Sequence, residues 1–159
     1  FPGSVAFSRR PPASLWSRII KFALKYHYDI IVMGGKKDIL LADEVISEFK
    51  EQSVKSLCGE MTLRESIAII SICSGAIATD SGLAHIAANL GLPTVSLFGA
   101  GDPDVTAPIG KKTDIIFQNV HCSPCKKNWC RNNDEPLLCL TEMSPERIWN
   151  RYCRLVEKG

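Results

Sequence analysis

The sequence predicts an α/β domain of Rossmann-like type, a parallel sheet with helices on both faces, carrying an added Cys-rich loop or finger. Three observations support this. Short continuous apolar runs that read as buried strands alternate along the chain with amphipathic helical stretches. The links between them are short, which implies right-handed βαβ units and a parallel sheet. One interval, residues 120–143, breaks the alternation: it is rich in Cys, Asn and Pro and has no periodicity.

The elements follow in order. Ser14 to Tyr26 places Leu15, Trp16, Ile19, Ile20, Ala23 and Leu24 at helical spacing. Asp29 to Met33 is an apolar run ending at Gly34-Gly35, read as a strand buried on both faces. Leu40 to Phe49 is helical again, and Val54 to Leu57 is a short strand. Thr62-Leu63-Arg64-Glu65 is a capping box opening a helix through Ser71. Ala76 to Thr79 is strand-like. Ser81 to Leu90 is helical and is stopped by Gly91 and Pro93. Thr94 to Phe98 and Asp114 to Gln118 are the remaining strands. Ser144-Pro145-Glu146 caps a closing helix over 144–156, with proline in the first turn where its missing N–H costs nothing.

Composition narrows the function classes. At 159 residues, 45% hydrophobic and 23% charged, the chain suits one globular domain. A net charge of +2 is too weak to argue for nucleic acid but is compatible with an anionic small ligand. No apolar run approaches the roughly 20 residues of a membrane span, and no secretory leader is legible. The chain opens Phe1-Pro2-Gly3 without an initiator Met, which reads as a piece of something longer. Seven cysteines, an odd number, fit a reducing compartment, so a cytoplasmic location is expected.

Ligands of open parallel sheets bind beyond the carboxyl ends of the strands. Four segments lie there: Gly3-Ser4, Gly34-Gly35-Lys36, Asp80-Ser81-Gly82 and Gly99-Ala100-Gly101-Asp102. Among them, Thr79-Asp80-Ser81-Gly82-Leu83-Ala84-His85 runs a strand into a helix through small residues. The free N–H groups of that first turn, with the helix dipole, form an anion site suited to a diphosphate. Ser81 can add a hydroxyl, Gly82 admits a close phosphate, and His85 lies one turn on along the same face. The residues alone leave a second reading open, in which Asp80 or Ser81 merely caps the helix and His85 is a satisfied, half-buried histidine. Neither a P-loop nor a Gly-x-Gly-x-x-Gly fingerprint is present, and no organic cofactor is implied.

The stretch TDSGLAHIAANLGLPTVSLFGAGDPDVTAPIG, Thr79 to Gly110, resembles the signature of glycosyltransferase family 9, the ADP-heptose:lipopolysaccharide heptosyltransferases. PGSVAFSRRPPASLW near the start, Met33-Gly34-Gly35, and Leu57 to Leu63 extend the resemblance over nearly the whole chain. It implies that residues 1–159 are the C-terminal, donor-binding half of a GT-B fold, with the N-terminal acceptor domain outside this chain. It implies that Ser4 and Val5 line a diphosphate and that Met61 lies against adenine. Asp80, Ser81, Gly82, Leu83 and His85 would meet diphosphate and sugar. Arg9 stands where the family usually has a lysine, and would stabilise the departing phosphate. A side chain near Asp38 would reach the ribose, although Lys36-Lys37-Asp38 departs from the family's acidic pattern. The implied activity is inverting transfer from an ADP-sugar to a glycolipid of the lipopolysaccharide core or another glycan, with no catalytic base in this half. Peripheral membrane association would follow from such an acceptor. The family domain also starts with a strand just before the Pro-Gly loop, here missing or reduced to the first residues, which implies a marginal, self-associating chain or a cut one. Another GT-B enzyme, a UDP-sugar transferase or epimerase, is the alternative.

Cys122-x2-Cys125-x4-Cys130-x8-Cys139 has the residue types of a four-thiolate structural site, with zinc the default metal and iron the alternative. Free thiols or disulfides would satisfy the same sequence. With Lys126, Lys127, Trp129 and Arg131 beside them, the cysteines also admit a non-catalytic metal-finger binding module.

Overall fold

A computed structural model describes residues 1–49 and 53–157. Its elements are α1 (Ala13–Lys25), β1 (Ile30–Val32), α2 (Ile39–Ile46), β2 (Val54–Ser56), α3 (Leu63–Ser71), β3 (Ala76–Thr79) and α4 (Gly82–Asn89). They continue with β4 (Thr94–Phe98), α5 (Pro103–Thr106), β5 (Thr113–Phe117), α6 (Leu138–Thr141) and α7 (Pro145–Glu157). Each strand pairs in parallel with its neighbour, and the strands point their carboxyl ends the same way within each sheet.

Local chemistry explains most boundaries. Thr62 caps α3 as a capping box: its hydroxyl accepts from the Glu65 amide, and the Glu65 carboxylate accepts from the Thr62 amide at 2.7 Å. Helix α4 ends in a Schellman motif. The Gly91 amide donates to the Ala88 carbonyl and the Leu92 amide to the Ala87 carbonyl, and Gly91 takes φ +80°, which only glycine adopts without strain. Two cores form, one per face. On one, α1, α2 and α7 pack Trp16, Ile19, Ile148 and Trp149 against Val95, Leu97 and Ile116. On the other, α3 and α4 pack Ile70 and Ala87 with Met33, Ala76 and Leu92. All five residues of β4 are buried, as befits the middle strand.

The strands form two parallel sheets, β1-β2 and β3-β4-β5. The strand expected to be buried on both faces is not: Ile31 is 37% exposed. The physical reason is that β1 has a partner on one edge only. A trough of about 670 Å³ separates β1 from β3, walled by Trp16, Ile31, Ile77, Trp149 and Tyr152 among others. Phe1 sits at its rim-side end. The terminal ammonium donates to the Ile77 carbonyl at 2.9 Å, and the Thr79 amide donates to the Phe1 carbonyl at 3.1 Å, so one residue continues a parallel ladder along β3. Among the described residues no helix is long and apolar enough to cross a membrane.

Candidate functional site

The four rim segments meet. Starting from β1, the Gly35 amide donates to Asp38 Oδ2 at 2.9 Å, and the same carboxylate pairs with Arg10 at 3.3 Å. The backbone of Gly3 lies directly on Asp38: a β-carbon there would fall 2.3 Å from the carboxylate carbon. From β3, Thr79 Oγ1 donates to the Gly3 carbonyl at 2.6 Å, and Ser4 Oγ donates to the Asp80 carbonyl at 3.1 Å. Arg10 Nε then donates to the Ser4 carbonyl at 2.6 Å. From β4, Gly101 closes the ring, since a β-carbon on it would lie 2.2 Å from Asp80 Oδ2.

Asp80 is the junction. Its side chain is 6% exposed and pairs with Arg9 at 2.9 Å. Thr106 Oγ1, at the last turn of α5, donates to the same oxygen at 3.3 Å. A lone carboxylate so buried would cost several kcal/mol, which the guanidinium offsets.

Beyond Asp80 the chain enters α4 with free donors. Ser81 is the N-cap, extended at φ −154° and ψ 160°, and its side chain makes no cap bond. Its hydroxyl is buried without a partner, and so is Arg9 Nε. The Ala84 amide bonds to the Ser81 carbonyl at 3.1 Å, whereas those of Gly82 and Leu83 have no acceptor among the described residues. A β-carbon on Gly82 would meet nothing within 4 Å, so the helix start faces open space. The capping alternative for Asp80 and Ser81 therefore fails: neither side chain caps α4. What the arrangement offers is an electropositive corner of amides, a hydroxyl and a guanidinium, the chemistry that binds phosphate.

The remaining expected residues are placed as follows. Val5 is fully exposed on the loop between Ser4 and the 3₁₀ turn Phe7–Arg9. Met61 and Leu83 are partly buried and both pack against the Met33–Ile70–Ala87 core. His85 is half-buried in the second turn of α4 and makes no side-chain hydrogen bond among the described residues. Asp38 has its carboxylate engaged by Arg10 and the Gly35 amide.

The metal expectation at Cys122, Cys125, Cys130 and Cys139 is not supported. Among the described residues no group of three or more His, Cys, Asp or Glu side chains could hold an ion. All seven cysteines are free thiols. The four line one cavity of about 470 Å³ together with Ser8 and Ala100. Burial, and then the neighbouring Cys122, Cys125 and Cys130, push the Cys139 thiol up to about 11. Cys130 Sγ instead accepts from the Leu137 amide at 3.2 Å.

Sequence reasoning missed Thr106, Arg10 and the Asp102–Lys126 ion pair at 2.8 Å. One signal was available: Asp102-Pro103 is an N-cap followed by proline at the first helical position, which places Thr106 a turn further on.

Comparison with known proteins bears on this corner. The family model described as glycosyltransferase family 9 (heptosyltransferase) matches residues 2–135. Lipopolysaccharide heptosyltransferase 2 of Salmonella typhimurium is 29% identical over 112 residues, 69% of this chain and 32% of that protein. Lipooligosaccharide heptosyltransferase 2 of Campylobacter jejuni is 28% identical over 163 residues, 99% of this chain and 50% of that protein. The solved structure of E. coli ADP-heptose LPS heptosyltransferase II matches with a TM-score of 0.83 at 25% identity, over 99% of this chain and 45% of that one. The chain thus spans between a third and a half of the length of these proteins.

The packing at Asp80 predicts an asymmetry between two rim glycines. Gly101→Ala should lower the free energy of unfolding by about 1–3 kcal/mol, because the new methyl displaces a buried, paired carboxylate. Gly82→Ala should stay within about 0.5 kcal/mol. Urea melts of both variants check this, and equal stabilities would show that Asp80 does not need the space at Gly101.

Proposed function

This chain belongs to glycosyltransferase family 9, and from that premise we propose that it binds the diphosphate of an ADP-sugar as the donor half of an inverting glycosyltransferase. The observation that carries the reading is the set of donors without partners at the start of α4: the Gly82 and Leu83 amides, the Ser81 hydroxyl and Arg9 Nε. Such groups left idle beside a buried ion pair are what a pyrophosphate would satisfy.

In this reading each residue has a role that its surroundings support. Gly82 and Leu83 offer their amides to one phosphate, and the absence of a side chain at Gly82 lets it approach. Asp80 does not itself face the diphosphate, which it would repel; it holds the Arg9 guanidinium at 2.9 Å. Arg9, with its planar fork half committed to Asp80, turns its remaining N–H groups to the departing phosphate. Charge developing on the leaving ADP is stabilised there and by the α4 dipole, in a corner organised before reaction. Met61, packed on the same core as Leu83, offers an apolar surface on which adenine can lie. Ser4 and Val5 border the phosphates from the opposite loop, and His85, one turn into α4, faces the sugar.

The acceptor hydroxyl, and the base that takes its proton, come from the other half of the enzyme. The relatives' activity suggests a heptose as the sugar and a lipopolysaccharide-core glycolipid as the acceptor. Such an acceptor calls for work at the cytoplasmic face of a membrane.

Calorimetry tests this directly. ADP should bind the chain with a dissociation constant below a millimolar, and UDP more weakly. Arg9→Ala and Gly82→Ala should each weaken ADP at least tenfold, about 1.4 kcal/mol. A folded chain that takes up no ADP at several millimolar would end this reading.

A further inference from the structure

The Cys-rich interval, which the proposed chemistry leaves without a role, is the template for the turn that carries Arg9. That turn, Phe7–Arg9, is three residues long, and its N-cap Ala6 has no side-chain cap bond. Its own hydrogen bonds are Arg9 N–H to the Ala6 carbonyl and Arg10 N–H to the Phe7 carbonyl. So short a 3₁₀ turn does not hold its position unaided. Every residue from Lys127 to Trp129 fixes it from outside. The Ser8 amide donates to the Asn128 carbonyl at 3.0 Å, and Ser8 Oγ donates to the Lys127 carbonyl. Trp129 stacks on Phe7 with ring centroids 5.4 Å apart and planes 26° from parallel.

The template is itself anchored to the sheet. Lys126 N–H donates to the Ala100 carbonyl at 2.8 Å, and its ammonium pairs with Asp102 at 2.8 Å. Ser123 Oγ donates to the Gly99 carbonyl. The end of β4 thus supports the Cys-rich segment, the segment supports the turn, and the turn delivers a guanidinium to Asp80. Trp129 is 69% exposed and Phe7 48% exposed, so their stack contributes little to the core and acts on the turn.

We infer that Trp129 is a positioning residue for Arg9: residues 127–129 set the register of the Phe7–Arg9 turn, and with it the placement of the group that meets the leaving diphosphate. The last clause rests on the proposed donor-binding role; the register of the turn does not.

Two measurements separate these. By amide hydrogen exchange, Trp129→Ala should speed exchange at Ser8 and Arg9 at least tenfold while amides in α1 keep their rates, and Trp129→Phe should restore protection. By calorimetry, Trp129→Ala should weaken ADP five- to tenfold but AMP less than twofold, since the effect passes through a group on the terminal phosphate. In an Arg9→Ala background it should cost less than twofold. Unchanged exchange at Ser8 and Arg9 would overturn the inference. So would an equal loss of ADP affinity with and without Arg9, which would make Trp129 a direct ligand contact. If the unaltered chain binds no ADP, the donor-binding reading fails and the exchange result alone decides this one.

Discussion

The Arg9–Asp80 ion pair ties the short turn ahead of α1 to the residue that follows β3. Asp80 lies just past Thr79 with its side chain 6% exposed, and Arg9 comes from the Phe7–Arg9 turn. A carboxylate that deep must be paired, and the pairing dictates its surroundings. Gly101 has to lack a side chain because the carboxylate occupies its place, and Thr106 bonds the same oxygen. The pair also sets the electrostatics of the corner. Asp80 cancels one charge while leaving Arg9 Nε and the amides of α4 unspent, so the site is electropositive through directed donors rather than through excess charge.

Around that pair the fold acts as a scaffold for loops. Parallel strands bring their carboxyl ends to one edge, and small residues at 3–4, 34–35, 80–82 and 99–101 let four loops lie against each other there. Asp38 is a second clip, gathering the Gly35 amide, Arg10 and the backbone of Gly3. The two clips run in series: Arg10 reaches from Asp38 to the Ser4 carbonyl, and Ser4 reaches on to Asp80. A carboxylate tied in this way holds loops together.

Much of this was legible in the residues. Periodicity located the strands and long helices, because a period of 3.6 or a short apolar run is a local property of sequence. The capping box at Thr62 and the stop at Gly91 were legible because capping is also local. The α4 start was recognisable from Asp80-Ser81-Gly82, but the partner of Asp80 was not: Arg9 lies 71 positions earlier, and no spacing rule links them. The exposure along β1 was hidden for a similar reason: an apolar run marks a strand without saying what covers each of its faces, so Ile31 reads as buried although it is 37% exposed. Cysteine spacing likewise indicates who could meet, not at what distance: the four thiols border one cavity, and among the described residues they form no group that could hold an ion.

Depth separates the ion pairs of this edge in their response to ionic strength. The Asp80 side chain is 6% exposed, so its pair with Arg9 is screened little by added salt, whereas Lys126, 62% exposed, holds Asp102 where counterions reach it. Raised salt therefore loosens the support under the Cys-rich segment before it touches the corner at Asp80.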